Sequence, residues 1–188
     1  MVEIVTYHPG WPAEFIRIAS DIRAALGPLA LRIDHIGSTS VPNLSAKDVI
    51  DVQITVASLD DNVVAAMNRI GYTRTDGNFS DHVPPGAPNE SIQWEKFFFR
   101  PPPGHRRSNT HMRIAGRANQ RYPLLFRDYL RVHPATAAAY AELKRRLAEF
   151  LRNTDDYPDV KDPAVDLIYL AAEEWATATG WQIGPADA

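Results

Sequence analysis

Hydrophobic and polar residues alternate along residues 48–56, and this period of two predicts a β-strand. The same alternation over residues 109–115 and a short apolar run over 31–36 predict two further strands. The aromatic segment 93–100 and residues 72–75 also have strand character. On the basis of their alternation, we expect the first three segments to lie in one sheet.

Apolar residues recur at helical spacing in the other well-patterned segments, and turn residues bound them. Pro12 suits the first turn of a helix that Gly27 and Pro28 end, and Asp162-Pro163 is a cap and first-turn pair that opens the last helix. Residues 76–91, which contain Pro, Gly, Asp and Asn, are predicted to form a long loop. The predicted helices cover residues 12–26, 59–70, 122–130, 134–150 and 162–175.

This order, a helix, then a β-rich middle, then helices, favours an α+β fold with α/β-like character. The length of 188 residues suits one domain, residues 1–188, with a core at about 28–118 and a helical part at about 119–180. We expect the C-terminal helices to pack on the core and to form one wall of a cleft, because their apolar stripes need a partner. Arg127 or Arg131 is the candidate to face that cleft.

Composition narrows the class of protein further. The chain is 45% hydrophobic and has no cysteine, which excludes disulfides, thiolate metal sites and a cysteine nucleophile. It has neither an apolar run of membrane-spanning length nor an N-terminal leader, so a cytoplasmic location is the default expectation. Residues 94–152 carry thirteen Lys or Arg and four Asp or Glu, although the net charge of the chain is −3. Such a basic segment predicts a local anion site or, equally well, two Arg-rich solvated helices.

The segment with the clearest chemical character runs from residue 35 to residue 53. A predicted strand ends at Gly37, small hydroxyl residues follow, and the next strand places Asp51 on its polar face. Glycine permits close approach of the backbone, and hydroxyl and amide groups donate to phosphate oxygens. A carboxylate in this position is solvated, paired with a cation or able to bind Mg²⁺, which prefers oxygen ligands and shares them with phosphates.

These residues resemble a known family. Gly37-Ser38 followed by Asp51 on a strand is similar to the signature of the nucleotidyltransferase superfamily. With Lys47 and the segments 126–131 and 133–134, the string resembles the GrpB family over about residues 3–178. The resemblance implies a nucleotidyltransferase-type mixed sheet flanked by helices, with the C-terminal helices packed on the core.

The resemblance also predicts the site residues. Asp51 is the candidate catalytic residue, and Asp51 and Gln53 are the candidate ligands of a magnesium ion. Active members of the superfamily carry a second carboxylate where this chain has Gln53, a weaker ligand, so metal affinity is expected to drop unless Asp34 or Glu95 converges on Asp51. The candidate nucleotide- or phosphate-binding residues are Gly37, Ser38, Thr39, Ser40, Lys47, His111 and Arg113.

Two functions follow from this pattern. One is an enzyme, a metal-dependent nucleotidyltransferase acting on an unidentified acceptor. The other is a catalytically degenerate module that binds a nucleotide or phosphorylated ligand without turnover, which Gln53 favours. A nucleic acid partner is supported only by the basic segment, because the aromatic stacking motifs of RNA-binding modules are not present. The oligomeric state stays open.

Overall fold

The computed structural model describes residues 2–77, 79–153 and 156–188, and in them a five-stranded mixed sheet lies between helices. The strand order is β1-β2-β5-β4-β3, with β2 and β5 parallel and the other pairs antiparallel. All three strands that alternation predicted lie side by side in this sheet, so that prediction is confirmed. The strands are β1 Arg32–Ile36, β2 Ile50–Val56, β3 Thr73–Arg74, β4 Phe97–Arg100 and β5 Ser108–Ile114.

In the residues that the structure describes, two α-helices cover one face of the sheet and three form a C-terminal group. They are α1 Trp11–Leu26, α2 Asp61–Arg69, α3 Ala118–Val132, α4 Pro134–Phe150 and α5 Tyr157–Thr179. The apolar residues of β2 point toward α1 and α2, where Phe15, Ile22 and Met67 complete a buried core. The amide groups of the α2 N-terminus are satisfied by the Asp60 side chain, which accepts from the backbone of Asn62 and Val63.

The opposite face of β2 is polar, and it is also buried. Gln53 and Thr55 are 0% and 2% exposed, because α3 crosses this face and the Gln120 carbonyl accepts from Gln53 Nε2 at 2.9 Å. The alternation along β2 therefore separates an apolar face, which α1 and α2 cover, from a polar face, which α3 covers.

A second hydrophobic cluster joins the three C-terminal helices to the segment after β1. Leu125 and Leu130 of α3, Tyr140 of α4 and Ala172 of α5 pack together with Leu44. The expected packing of the C-terminal helices on the core is confirmed, and the architecture is the predicted α+β nucleotidyltransferase-like arrangement. The apolar stripes of α3, α4 and α5 find their partners in one another and in the residues that follow Gly37.

Several predicted boundaries were wrong. Residues Ser91–Gln93 form a 3₁₀ turn, so the predicted strand 93–100 is reduced to β4. The aromatic residues of that segment include Trp94, whose ring is buried beside the turn and donates to the Pro88 carbonyl. Helix α5 starts at Tyr157, because Pro158 takes the first-turn position that was assigned to Pro163.

Part of the loop after β3 is paired with another segment of the chain. Asp81 N donates to the Trp94 carbonyl at 2.9 Å and Lys96 N donates to the Phe79 carbonyl at 2.9 Å, so this part of the predicted loop 76–91 pairs with the chain just before β4. Asn78 in that loop, and residues 154 and 155 of the predicted helical part, lie outside the described residues. No helix in the described part of the chain is long and apolar enough to cross a membrane.

Candidate functional site

The candidate site begins where β1 ends against β2. Ile36 lies opposite Asp51 in the antiparallel ladder, so Gly37 leaves the strand directly beside that carboxylate. Gly37 has φ 68° and ψ −173°, a conformation that is essentially restricted to glycine. A Cβ atom at Gly37 would lie 2.2 Å from Asp51 Oδ2. The prediction that Gly37 lies at a strand end beside Asp51 is confirmed, and the close approach explains why the residue is a glycine.

A cavity of about 520 Å³ opens between this edge of the sheet and helices α3, α4 and α5, which confirms that the C-terminal helices form one wall. The volume is within the usual range of small-molecule sites. Of the predicted site residues, those that line the cavity are Gly37, Ser38, Thr39, Lys47, Asp51, His111 and Arg113. Ser40 and Gln53 are not among the lining residues.

Ser40 holds the turn that follows Gly37. Its Oγ donates to the Gly37 carbonyl at 2.6 Å, and its own carbonyl accepts from Arg131 Nη2 at 2.9 Å. Arg127 donates to the carbonyl of His35 at 3.0 Å. Ser40 thus helps to fix the turn, and its contact with a phosphate stays a prediction. Neither Arg127 nor Arg131 lines the cavity, so the expectation that one of them faces it was wrong.

Asp51 lies half-buried on β2. Asn109, its ladder partner on β5, donates from Nδ2 to Asp51 Oδ1 at 2.8 Å. Burial raises the pKa of Asp51 to about 6, although the hydrogen bond from Asn109 and the charges of Lys161, Arg113 and Lys144 act in the opposite direction. The carboxyl group therefore changes charge close to neutral pH, which is common for side chains at functional sites.

Two lysines from the C-terminal helices line the cavity, and sequence reasoning missed both. Lys144 of α4 is 3% exposed, and its Nζ donates to Ser38 Oγ at 2.8 Å and to the Ser45 carbonyl at 2.5 Å. Burial and the nearby charge of Lys161, on α5, lower the pKa of Lys144 to about 7. The sequence did contain a signal: Lys144 follows Tyr140 by four residues, which places a charge on the buried stripe of α4.

Lys47 is the third lysine in this group, which we call the lysine cluster (Lys47, Lys144 and Lys161). Its Nζ lies 3.9 Å from the centre of the Tyr157 ring. Burial and Lys161 lower the pKa of Lys47 as well. The three lysines therefore bring positive charges together in one cavity, where burial and mutual repulsion oppose their protonated forms.

A second ionic group lines the cavity around Asp81. Asp81 accepts from Lys96 Nζ at 2.7 Å, from Arg113 Nε at 2.7 Å and from Asn119 Nδ2 at 3.1 Å. Burial raises the pKa of Asp81, but the charges of Arg113 and Lys96 outweigh it and hold that pKa well below its ordinary value. Arg113 already has a carboxylate partner in the protein, and Asp81, predicted as a loop residue, belongs to the site.

His111 lies between the two groups. Burial and the charges of Arg113 and Lys96 hold the pKa of His111 well below its ordinary value, so the ring is neutral at pH 7. Arg113 Nη2 lies 3.3 Å from His111 Nδ1, and because Arg113 can only donate, the ring proton is on Nε2. His111, which lines the cavity, is therefore an uncharged hydrogen-bond donor through Nε2.

The expected role of Gln53 as a metal ligand is not supported by its contacts. Its side chain is 0% exposed, Oε1 accepts from Arg113 Nη1 at 2.7 Å, and Nε2 donates to the Gln120 carbonyl. Both ends of the amide are engaged under α3. Gln53 joins the sheet to α3, and an amide suits this position because it can accept from Arg113 and donate to the Gln120 carbonyl at the same time.

The residues around Asp51 do not fit a magnesium ion, which takes several oxygen ligands, usually including carboxylates. Asp34 binds Arg32 through both oxygens, at 2.7 and 2.6 Å, and Glu95 binds Arg117 at 3.0 Å, so neither converges on Asp51. Across the part of the chain that the structure describes, no group of three His, Cys, Asp or Glu side chains is arranged to hold a metal. Positive side chains surround Asp51 instead.

The mixed sheet, the glycine turn and the carboxylate on the adjoining strand define a protein of the nucleotidyltransferase-like class. Residues 1–170 match the family described as GrpB protein, and the chain belongs to the GrpB family. A solved structure described as conserved protein GrpB from Enterococcus faecalis is similar to it, with a TM-score of 0.73 and 31% identity, covering 92% of this chain and 99% of that chain.

Two curated relatives extend the comparison. A UPF0157 protein of Halalkalibacterium halodurans is 32% identical over 176 residues, which is 91% of this chain and 82% of the relative. A dephospho-CoA kinase of Mycolicibacterium paratuberculosis is 35% identical over 196 residues, which is 96% of this chain and 48% of the kinase. The chain thus spans about half the length of the kinase that it matches.

Proposed function

We propose that the cavity binds a nucleotide or another phosphorylated small molecule. In this proposal the lysine cluster neutralises the charge of the phosphate, as a metal ion does in other nucleotide-binding sites. The observation that carries this proposal is the presence of three lysines in one cavity, of which only Lys161 forms an ion pair among the described residues, with Asp162 at 3.2 Å. Among the described residues, no carboxylate oxygen lies within 4.0 Å of the Lys47 or Lys144 ammonium group. A phosphate placed there supplies the missing negative charge and several hydrogen-bond acceptors.

The rest of the cavity suits the other parts of a nucleotide. Tyr122 and Phe126 of α3 line it, and aromatic rings offer faces on which a base can stack. Because relatives of this chain are named dephospho-CoA kinase, adenine nucleotides are the first probes. This chain contains no Gly-Lys pair and hence no phosphate-binding loop of the kind that carries one, so the kinase reaction itself is not proposed for it.

The basic segment does not favour nucleic acid. Much of its charge is paired: Arg106 binds Glu14, Arg117 binds Glu95, and Arg121 binds Glu173. The lysine cluster lies in a cavity and not along an exposed face. This arrangement supports a small anionic ligand.

Calorimetric titration with ATP, ADP, AMP and pyrophosphate, each with Mg²⁺ and with a chelator, tests the proposal. We expect binding that does not require Mg²⁺ and that weakens at least about tenfold in Lys144→Met, since a charge-assisted contact contributes about 1.5–3 kcal/mol. Arg146→Met is the matched control, because it removes a charge from the exposed side of the same helix. Binding only in the presence of Mg²⁺, or equal losses in both variants, contradicts the proposal.

The second candidate function is transfer of a nucleotidyl group to an unidentified acceptor, with magnesium as the expected cofactor. It is favoured by the Gly37-Ser38 turn beside Asp51, as in the superfamily signature, and disfavoured by the single carboxylate. Release of pyrophosphate from nucleoside triphosphates, with Mg²⁺ or Mn²⁺ and a set of small-molecule acceptors, tests it. Absence of pyrophosphate release by the wild type rules the function out. Transfer is expected to disappear in Asp51→Asn, and an unchanged rate in that variant rules out Asp51 as the catalytic residue.

A further inference from the structure

We propose that Ser38 and Lys144 form a serine–lysine dyad, in which Ser38 Oγ is the nucleophile toward the phosphorus of a phosphoanhydride bound in the cavity. The choice of a phosphoanhydride rests on the proposed function. The dyad itself rests on the positions of the two side chains.

Ser38 is placed as a nucleophile has to be. It is the first residue after Gly37, whose positive φ turns the chain sharply out of β1, and it lines the cavity. Lys144 Nζ lies 2.8 Å from Ser38 Oγ, which is within the hydrogen-bond reach that a general base needs. Serine–lysine pairs are a known variant of the activated serine.

The partners of Lys144 suit a base. The Ser45 carbonyl, 2.5 Å away, accepts one amine hydrogen and fixes the direction of the side chain. The neutral amine then has its lone pair available for the Ser38 hydroxyl hydrogen. The Tyr140 ring, 4.7 Å from Nζ, covers the lysine on its own helix.

The charges around Lys144 keep a useful fraction of it neutral. Lys161 of α5 and Arg145 of α4 disfavour its protonated form, and Asp51 of β2 favours it. Burial adds to the first effect, and the resulting pKa of about 7 places the lysine near the middle of its titration at neutral pH.

The reaction is written as follows. The Ser38 oxygen attacks the α-phosphorus of a nucleoside triphosphate, a new O–P bond forms, and the bond to the bridging oxygen of the pyrophosphate breaks. The hydroxyl proton passes to Lys144 Nζ, and pyrophosphate leaves with the bonding electron pair. The product is a phosphodiester between Ser38 and the nucleoside monophosphate, with no oxidation or reduction and no further reactant.

A fluorophosphonate probe tests the nucleophile independently of nucleotide binding, because the probe is not a nucleotide. We expect it to label Ser38, as located by peptide mass spectrometry, and Ser38→Ala to lose the label. Lys144→Met and Lys144→Arg are expected to label about a hundredfold more slowly, the usual contribution of general-base catalysis. Ser45→Ala is the matched control, since it removes a hydroxyl near the dyad but keeps the carbonyl that holds Lys144.

Lys144→Arg also guards against a general loss of structure, because it keeps the positive charge. It is expected to label about a hundredfold more slowly than the wild type, and circular dichroism checks that the variant keeps its fold. For the wild-type protein the labelling rate is expected to rise with pH through about 7, as Lys144 loses its proton. Labelling at another residue, labelling as fast in Lys144→Arg as in the wild type, or a rate that does not depend on pH each overturns the dyad.

ATP labelled at the α-phosphate tests the phosphoanhydride. We expect a covalent AMP adduct on Ser38 and one pyrophosphate released per adduct, both absent in Ser38→Ala. If ATP binds but neither reagent modifies Ser38, the dyad is overturned and the proposed function stands. If the fluorophosphonate labels Ser38 but ATP does not bind, the proposed function fails and the phosphoanhydride is overturned with it.

Discussion

Replacement of Gly37 by alanine tests the closest contact in the site. The backbone at Gly37 lies in a region that only glycine adopts readily, and holding alanine there costs about 1–3 kcal/mol. The new Cβ would lie 2.2 Å from Asp51 Oδ2, so the carboxylate has to move. That movement breaks the hydrogen bond from Asn109, a loss of about 1.5–3 kcal/mol for a charged acceptor. We therefore expect the free energy of unfolding to fall by about 4 kcal/mol.

Urea unfolding followed by circular dichroism measures this change, with Gly104→Ala as the control. Gly104 has φ 82°, also in the positive region, but no atom lies within 4 Å of its added Cβ. Gly104→Ala thus carries only the backbone cost of about 1–2 kcal/mol. The excess in Gly37→Ala reports the contact with Asp51.

Removing the Asp51 carboxylate separates the cost of the backbone conformation at Gly37 from the cost of the contact with Asp51. In an Asp51→Gly background the atoms that obstruct the new Cβ are gone, so Gly37→Ala is expected to cost only its backbone strain. Equal losses for Gly37→Ala and Gly104→Ala, or no coupling between positions 37 and 51, would refute the close approach as the reason for the glycine.

Four further outcomes are expected. Because the pKa of Lys144 is about 7, nucleotide affinity measured by calorimetry should fall by about tenfold or more between pH 7 and pH 9, and a flat profile excludes Lys144 as a ligand. Asp51 has a folded pKa of about 6, above the unfolded value of about 3.9, so its ionisation costs no stability below pH 4 and lowers stability above pH 6. Asp51→Asn should therefore be more stable than the wild type by about 1–2 kcal/mol at pH 8 and not at pH 4. Equal differences in the free energy of unfolding at both pH values contradict this. Asp81→Ala leaves two buried cations without their carboxylate and should cost about 3–5 kcal/mol in urea unfolding, whereas exposed Asp76→Ala should cost less than about 0.5 kcal/mol. Gln53→Asp should destabilise the fold by about 1–3 kcal/mol by breaking the contact with α3 and should not strengthen Mg²⁺ binding; a gain in Mg²⁺ affinity would restore the metal-site hypothesis.

Part of the candidate site could be predicted from local features of the sequence. Alternation along residues 48–56 predicted β2, and the position of Gly37 before a run of small hydroxyl residues predicted a sharp turn at a strand end. Those signals are local, because period and backbone permissiveness depend on a few neighbouring residues. They were sufficient to place the turn beside Asp51, whereas His111 and Arg113 were predicted with the help of the resemblance to the GrpB family.

The sequence by itself therefore determined the α+β class, the strands of the central sheet and the glycine turn with its neighbouring carboxylate. Only the tertiary structure decided which charged side chains line the cavity beside Asp51. Lys144 and Lys161 lie more than ninety residues beyond Asp51 and reach it through the packing of α4 and α5, and Asp81 finds Arg113 across a loop. The same packing decided that Gln53 is buried under α3. Electrostatic partners act through space, and no local period along the chain records which side chains folding brings within 4 Å of one another.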